Sequence, residues 1–124
     1  MSGWTADELT RIGKADELQI TSRRGDGSLR PYVTIWVVRA GDDLYVRSAH
    51  GRENGWFRRA LTSGEGRIRA GGVERDVAFE EPGAAVDADL HAVYHAKYDR
   101  YGPSIVGPVV SPESARSTFR LAPR

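Results

Sequence analysis

Residues 47–56 read RSAHGRENGW, an order of residue types suited to holding an anion. Arg47 and Ser48 close an apolar, β-branched stretch, Gly51 permits a tight turn, and a helical pattern opens near Glu53. Free N–H groups at a helix start, with the positive end of the helix dipole, favour negative charge. Ser48 adds a hydroxyl, Arg52 a planar fork of donors matched to a phosphate, and Gly51 lets backbone approach a ligand. The same residues also read as a solvated turn, with Arg52 in water beside Glu53. Arginine count does not choose between the two. Lysine occurs only at Lys14 and Lys97, so the chain is arginine-biased throughout, as in a GC-rich genome. Arg58 and Arg59, on the body of the expected helix, read as solvated charge.

Other candidates are weaker. His91 and His95 stand one helical turn apart, a spacing that can ligate a metal. No nearby carboxylate completes a zinc-helix pattern, and packing or surface histidines with no metal are expected. Tyr94, Tyr98 and Tyr101 form a stripe at helical spacing, read as core or dimer packing. The Asp-Glu pairs at 7–8 and 16–17 read as helix-start and strand-edge charge. With no cysteine, disulfides, thiolate catalysis and cysteine-bound metals are excluded. The chain contains no P-loop, dinucleotide-binding glycine fingerprint or nucleophile elbow.

The elements that position these residues are legible from pattern. Thr5 and Glu8 have capping-box spacing and open a helix over about 6–11, with Leu9 and Ile12 facing a core. A strand over 16–24 ends at a hairpin turn on Asp26-Gly27. The stretch LRPYVTIWVVRA (29–40) is the strongest strand, with Val33, Ile35 and Val37 on one face and Tyr32, Thr34, Trp36 and Val38 on the other. Apolar residues on both faces predict a barrel strand covered by an outer layer. In the next strand Leu44 and Val46 point inward, opposite Tyr45 and Arg47. A helix over 53–62 carries Trp56, Phe57, Ala60 and Leu61 as its apolar stripe. A hairpin turning on Gly71-Gly72 sets Arg69 opposite Glu74 and Arg67 opposite Asp76. It leaves Arg75 among apolar neighbours, which is unexpected for surface charge. A helix from Asp87 or Asp89 to about Tyr101 puts Lys97 in line with Leu90, Val93 and the tyrosines. Residues 102–113 read as an extended Pro/Gly linker, and 115–123 as a closing strand. The order predicts an α+β fold with strands enough for a small antiparallel barrel.

A chain of 124 residues is most simply one domain, 1–124. A net charge of +1 argues against a nucleic-acid partner. The start MSGWTADEL lacks the pattern of a signal peptide, and the run VTIWVV is far too short to span a membrane. A cytoplasmic protein with no membrane partner is expected.

Taken in order and spacing, residues 30–61, 66–79, 91–102 and 117–123 resemble the flavin-binding split-barrel superfamily. That superfamily includes pyridoxamine-phosphate-oxidase-like and deazaflavin-dependent nitroreductase-like proteins; the resemblance is narrowest to a bacterial domain-of-unknown-function family within it. It implies a six-stranded split barrel with flanking helices, forming a homodimer with FMN or a deazaflavin at the interface. Carried over by position, it puts Arg30, Thr34 and Trp36 near the ring or ribityl chain. Arg47, Ser48, Gly51 and Arg52 fall at the phosphate, with Trp56 packing the helix below. A small-molecule substrate would enter the cleft beside Trp36, Tyr94 and Tyr98. The chain departs from the superfamily in lacking a lysine in the phosphate turn and an Asn-Pro pair after the helix. No catalytic acid or base stands out, as suits hydride chemistry that belongs to the cofactor. The implied function is an oxidoreductase; the alternative is a non-catalytic ligand-binding or scaffold protein that has lost the cofactor.

Overall fold

The computed structural model describes residues 3–49 and 51–124. The first helix, α1 (Ala6–Lys14), starts where the capping box predicts. Thr5 Oγ1 accepts from the Glu8 N–H and Glu8 Oε1 accepts from the Thr5 N–H. Strands β1 (Leu18–Ser22), β2 (Val33–Ile35), β3 (Val38–Ala40) and β4 (Asp43–Arg47) follow. Helix α2 (Gly55–Ser63) precedes the hairpin β5 (Glu65–Ala70) and β6 (Val73–Glu80), and helix α3 (Asp87–Tyr98) comes next. After the short helical turns α4 (Pro103–Val106) and α5 (Pro112–Ala115), strand β7 (Thr118–Pro123) closes the chain.

All strands join one antiparallel sheet in the order β2-β1-β5-β6-β7-β4-β3. The two edge strands, β2 and β3, are consecutive in sequence, with only Trp36 and Val37 between them. Laid flat, seven strands would hold their edges about 29 Å apart. Three residue steps from Ile35 to Val38 reach about 11 Å at most. The sheet therefore has to curl until its edges meet, and the result is a split barrel. The single strand expected over 29–40 is divided: its first half pairs with β1 and its second half with β4. Counted as one bent strand it makes six, counted by pairing it makes seven.

The split leaves the peptide groups of Val37 outside either ladder, and α3 supplies their partners. The Tyr98 hydroxyl accepts from the Val37 N–H at 3.2 Å and lies 3.0 Å from the Val37 carbonyl and 2.7 Å from that of Asp16. The Lys97 ammonium donates to the carbonyls of Val37 and Ala15, both at 2.6 Å. Arg100 and Tyr101 hold the Asp16 carboxylate at 2.6 and 2.8 Å, and these contacts keep it below the usual carboxylate range. The end of α3 thus fastens the seam to the loop between α1 and β1.

Inside the curl, Leu9, Ile12, Leu18, Ile20, Val37, Leu44, Val46, Phe57, Ile68, Val77, Phe119 and Leu121 form the main core. Outside it, Val38 and Tyr45 pack under Leu90, Tyr94 and Tyr98 of α3 with Val106 and Val109, the outer layer that the two apolar faces predict. Gly66 of β5 has no room for a side chain against β1: a Cβ there would stand 1.9 Å from the Thr21 carbonyl oxygen. Arg75 reaches Glu8 at 2.8 Å and lies over the Trp4 ring, so its place on an apolar face ties β6 to the start of α1.

Two expectations are corrected. Leu61 is 40% exposed and lies outside the core, because the buried face of α2 is carried by Trp56, Phe57 and Ala60. Residues 103–115 are helical turns with Pro103, Pro108 and Pro112 near their starts. Proline's fixed φ favours a first helical turn as readily as an extended linker. Among the described residues no helix is long and apolar enough to cross a membrane.

Burial pushes Lys97 down to about 8, from an ordinary value of 10.5. Between those values the unfolded chain binds the proton that the folded chain releases, so stability rises with pH across that window. Urea denaturation of the wild type against Lys97→Met from pH 7.5 to 9.5 should show the wild type gaining on the variant as pH rises. A pH-independent difference would remove Lys97 from the linkage. At fixed pH, Tyr98→Phe keeps the ring but deprives Val37 of a partner, and should cost about 1–3 kcal/mol in the same measurement.

Candidate functional site

The split also shapes a cleft. Val33, Thr34, Ile35 and Trp36 form one wall, and Arg47, Ala49, Asn54, Trp56, Ile105 and Val109 complete it, enclosing about 460 Å³. That volume falls within the range of small-molecule and cofactor sites. Trp36 is held flat: its ring stacks on Tyr98 with centroids 3.8 Å apart and planes 1° from parallel. Asn54 caps α2 through its side chain, which accepts from the Trp56 N–H at 3.3 Å, and so sets Trp56 at the helix start.

Three of the sequence-predicted cofactor residues, Thr34, Trp36 and Arg47, converge on this cleft. Arg47 is a fully buried wall: Nε donates to Thr118 Oγ1 at 2.8 Å, Nη1 to the Val109 carbonyl at 3.1 Å, and Nη2 lies 3.4 Å from Asp87 Oδ1. Burial lowers its pKa, and Tyr94 and Asp87 oppose that shift. Tyr94 and Tyr98, predicted beside the substrate, are buried behind the cleft. Tyr98 backs Trp36, and the Tyr94 ring lies 5.5 Å from the Arg47 guanidinium. Burial raises both phenols, Tyr94 and Tyr98, so neither ionises near neutrality.

The rest of the predicted phosphate turn is engaged with the chain itself. Ser48 is buried, its N–H donating to the Ser117 carbonyl at 3.1 Å. Gly51 takes φ of +75°, and a Cβ there would stand 2.6 Å from Glu113 Oε1. Arg52 Nη1 donates to Glu81 Oε1 at 2.6 Å and to the Arg116 carbonyl at 2.7 Å. His50, within the same turn, lies outside the described residues. Of the two other histidines, His95 meets Asp99 at 2.8 Å, and burial with the nearby Arg47 charge lowers His91.

Arg30, predicted near the ring, does not line this cleft. It lines a groove of about 660 Å³ together with Arg23, Arg24, Arg58, Arg59 and Glu65. Its Nε is shielded from solvent and makes no hydrogen bond among the described residues. A narrow depression of about 10 Å³ shares Val33 and Trp56 with the cleft and Arg30 and Arg59 with the groove. Arg58 and Arg59, read from sequence as solvated charge, are exposed but share a groove with three more arginines. The signal was the pairing of SRRGDGSLR with WFRR, which only the packing of α2 across β1 brings together.

The family described as "Uncharacterized protein conserved in bacteria (DUF2255)" matches residues 8–121. The chain belongs to this family. No curated protein matches it. Among solved structures, the chain is similar to an F420 reductase at 12% identity and a TM-score of 0.61, with 93% of this chain and 91% of that one covered. A candidate pyridoxamine 5′-phosphate oxidase from Listeria innocua is similar at 16% identity and 0.56, with 94% and 90% covered. An FAD-binding protein from Mesorhizobium loti is similar at 14% and 0.53, with 98% and 91% covered. At these identities the likeness is one of fold, and it agrees with the curled antiparallel sheet of this DUF2255 chain.

The two arginines of the predicted phosphate turn should separate in stability. Removing Arg47 strands a buried carbonyl, a hydroxyl and a carboxylate, so Arg47→Met should cost about 3 kcal/mol in urea unfolding. Arg52→Ala removes an exposed pair and should cost under about 1 kcal/mol. Equal costs would mean that Arg47 is not the interior strut described here.

Proposed function

We propose that this DUF2255 protein binds FMN or a deazaflavin in the Thr34–Trp36 cleft, with the ring against Trp36 and the β2 backbone. The observation that carries this reading is the cleft, with a flat indole fixed by Tyr98 and a buried cation at Arg47, and the orphaned donor of Arg30 in the adjoining groove beyond Val33. An aromatic wall suits an isoalloxazine-type ring, and an arginine donor suits its phosphate. The residues fit such a group, with Arg30 taking the phosphate in preference to Arg52, which Glu81 already holds. Bound there, the cofactor would supply hydride transfer to a small molecule, which makes the protein an oxidoreductase. This chain's own part would be to position the ring and limit water around it. We place the cleft at a homodimer interface in the cytoplasm. The support for the interface is a β2 edge that, among the described residues, pairs only with β1, beside Trp36 and an Ile105 that is 52% exposed.

One observation favours a second reading, a ligand-binding or scaffold split barrel that has lost the cofactor. The chain's own carboxylates, Glu113 against Gly51 and Glu81 on Arg52, occupy the turn where the superfamily pattern puts the phosphate.

Purified protein titrated with FMN and with the deazaflavin cofactor, followed by absorbance and fluorescence, separates the two. Saturable binding is expected, weakened about 1.5–3 kcal/mol by Arg30→Ala and much less by Arg52→Ala. Trp36→Ala should weaken it as well. No saturable binding of either cofactor would leave the scaffold reading. Sedimentation analysis should show a dimer.

A further inference from the structure

The groove beside the cleft is predominantly cationic. Five arginines line it, and Glu65 is its single carboxylate. Glu65 is already taken, at 2.5 Å, by Arg124 from the end of the chain. Arg23 is paired outside the groove, with Asp76 at 3.1 Å, and Arg24 donates to the Leu29 carbonyl at 3.0 Å. Arg30, Arg58 and Arg59 have no carboxylate partner among the described residues, although the chain has 17 acidic side chains and supplies ion pairs to many of its other arginines. The Nε of Arg30 is buried without a hydrogen-bond partner, a cost the fold carries in place. Like charges crowded along one depression repel one another and focus a positive potential into it.

These arginines come from two separate elements. Arg23, Arg24 and Arg30 flank the loop that Asp26 organises by accepting from the Ser28 N–H and hydroxyl at 2.9 and 2.7 Å. Arg58 and Arg59 project from α2, which packs across β1. A single phosphate is satisfied by two or three guanidinium donors, whereas donors spread over two elements suit a chain of anionic groups.

We propose that this groove is a binding site for a small polyanion, a ligand carrying two or more linked phosphate or carboxylate groups. The polyanion is either the extended tail of a cofactor whose ring lies in the cleft or a free oligophosphate. Only the first source rests on the flavin reading. Apart from Arg30, the groove is built from residues that the cleft does not use.

The test uses the intact protein and inorganic tripolyphosphate as the probe, with orthophosphate at matched ionic strength as the control. Tripolyphosphate should bind saturably by calorimetry and raise the melting temperature, whereas orthophosphate should do so far less. The double variant Arg58→Gln/Arg59→Gln alters two exposed side chains and should lower tripolyphosphate affinity by about tenfold or more. Raising the salt concentration should weaken the wild-type interaction. Equal effects of the two anions at matched ionic strength would overturn the proposal, as would undiminished binding by the double variant. Should that variant fold poorly, the wild-type comparison of the two anions decides alone.

A parallel arm with FAD and FMN identifies the source. Tighter binding of FAD than FMN, abolished by the double variant, assigns the groove to a cofactor tail. Tripolyphosphate binding with no preference for FAD assigns it to a free oligophosphate. Loss of flavin binding with tripolyphosphate binding intact would defeat the flavin reading and leave the groove.

Discussion

A strand that leaves one ladder and joins another must satisfy its peptide groups in between, and here that burden falls on Val37. A buried peptide group without partners costs a few kcal/mol, enough to matter against the marginal stability of a small domain. The N–H and carbonyl of Val37 are met by Tyr98 and Lys97, so the curl of the sheet depends on how α3 docks. The same docking puts Tyr98 flat against Trp36 and thereby sets one wall of the cleft. Fold closure and site geometry share one group of side chains.

Lys97 shows the cost of this arrangement. Its ammonium is partly desolvated, which pulls it down to about 8, yet it supplies two hydrogen bonds, to the carbonyls of Val37 and Ala15. It is one of only two lysines in an arginine-biased chain. A compact ammonium on a flexible stem reaches two carbonyls from different elements, a geometry unlike the planar fork of a guanidinium.

The arginines divide into those the fold consumes and those it leaves open. Arg47 is an interior strut between β4, β7 and the start of α3. Arg67 meets Asp76 and Glu74 across the hairpin, and Arg75 meets Glu8. Among the described residues Arg30, Arg58 and Arg59 have no such partner, and they share one groove. Residue type is the same in both groups. What separates them is whether a carboxylate from a distant part of the chain arrives within reach.

Much of the fold was legible because its causes are local. The Thr5–Glu8 capping box, the Gly71-Gly72 turn with its Arg67–Asp76 and Arg69–Glu74 register, and the double apolar faces of 33–38 all depend on neighbours a few residues away. The convergence of Thr34, Trp36 and Arg47 was legible through resemblance in the order and spacing of motifs. The break at Trp36-Val37 was not, since alternation continues through it unchanged and the exchange of pairing partners is a property of the closed sheet. Leu61 misled because a helical stripe gives a face without saying how far the barrel covers it. The sequence by itself determined most of the elements, the register of the β5–β6 hairpin and the α+β class, through short-range sterics and periodicity. Tertiary structure decided which arginines are struts, which are paired and which face a groove, because charge pairing depends on distances between residues far apart in the chain.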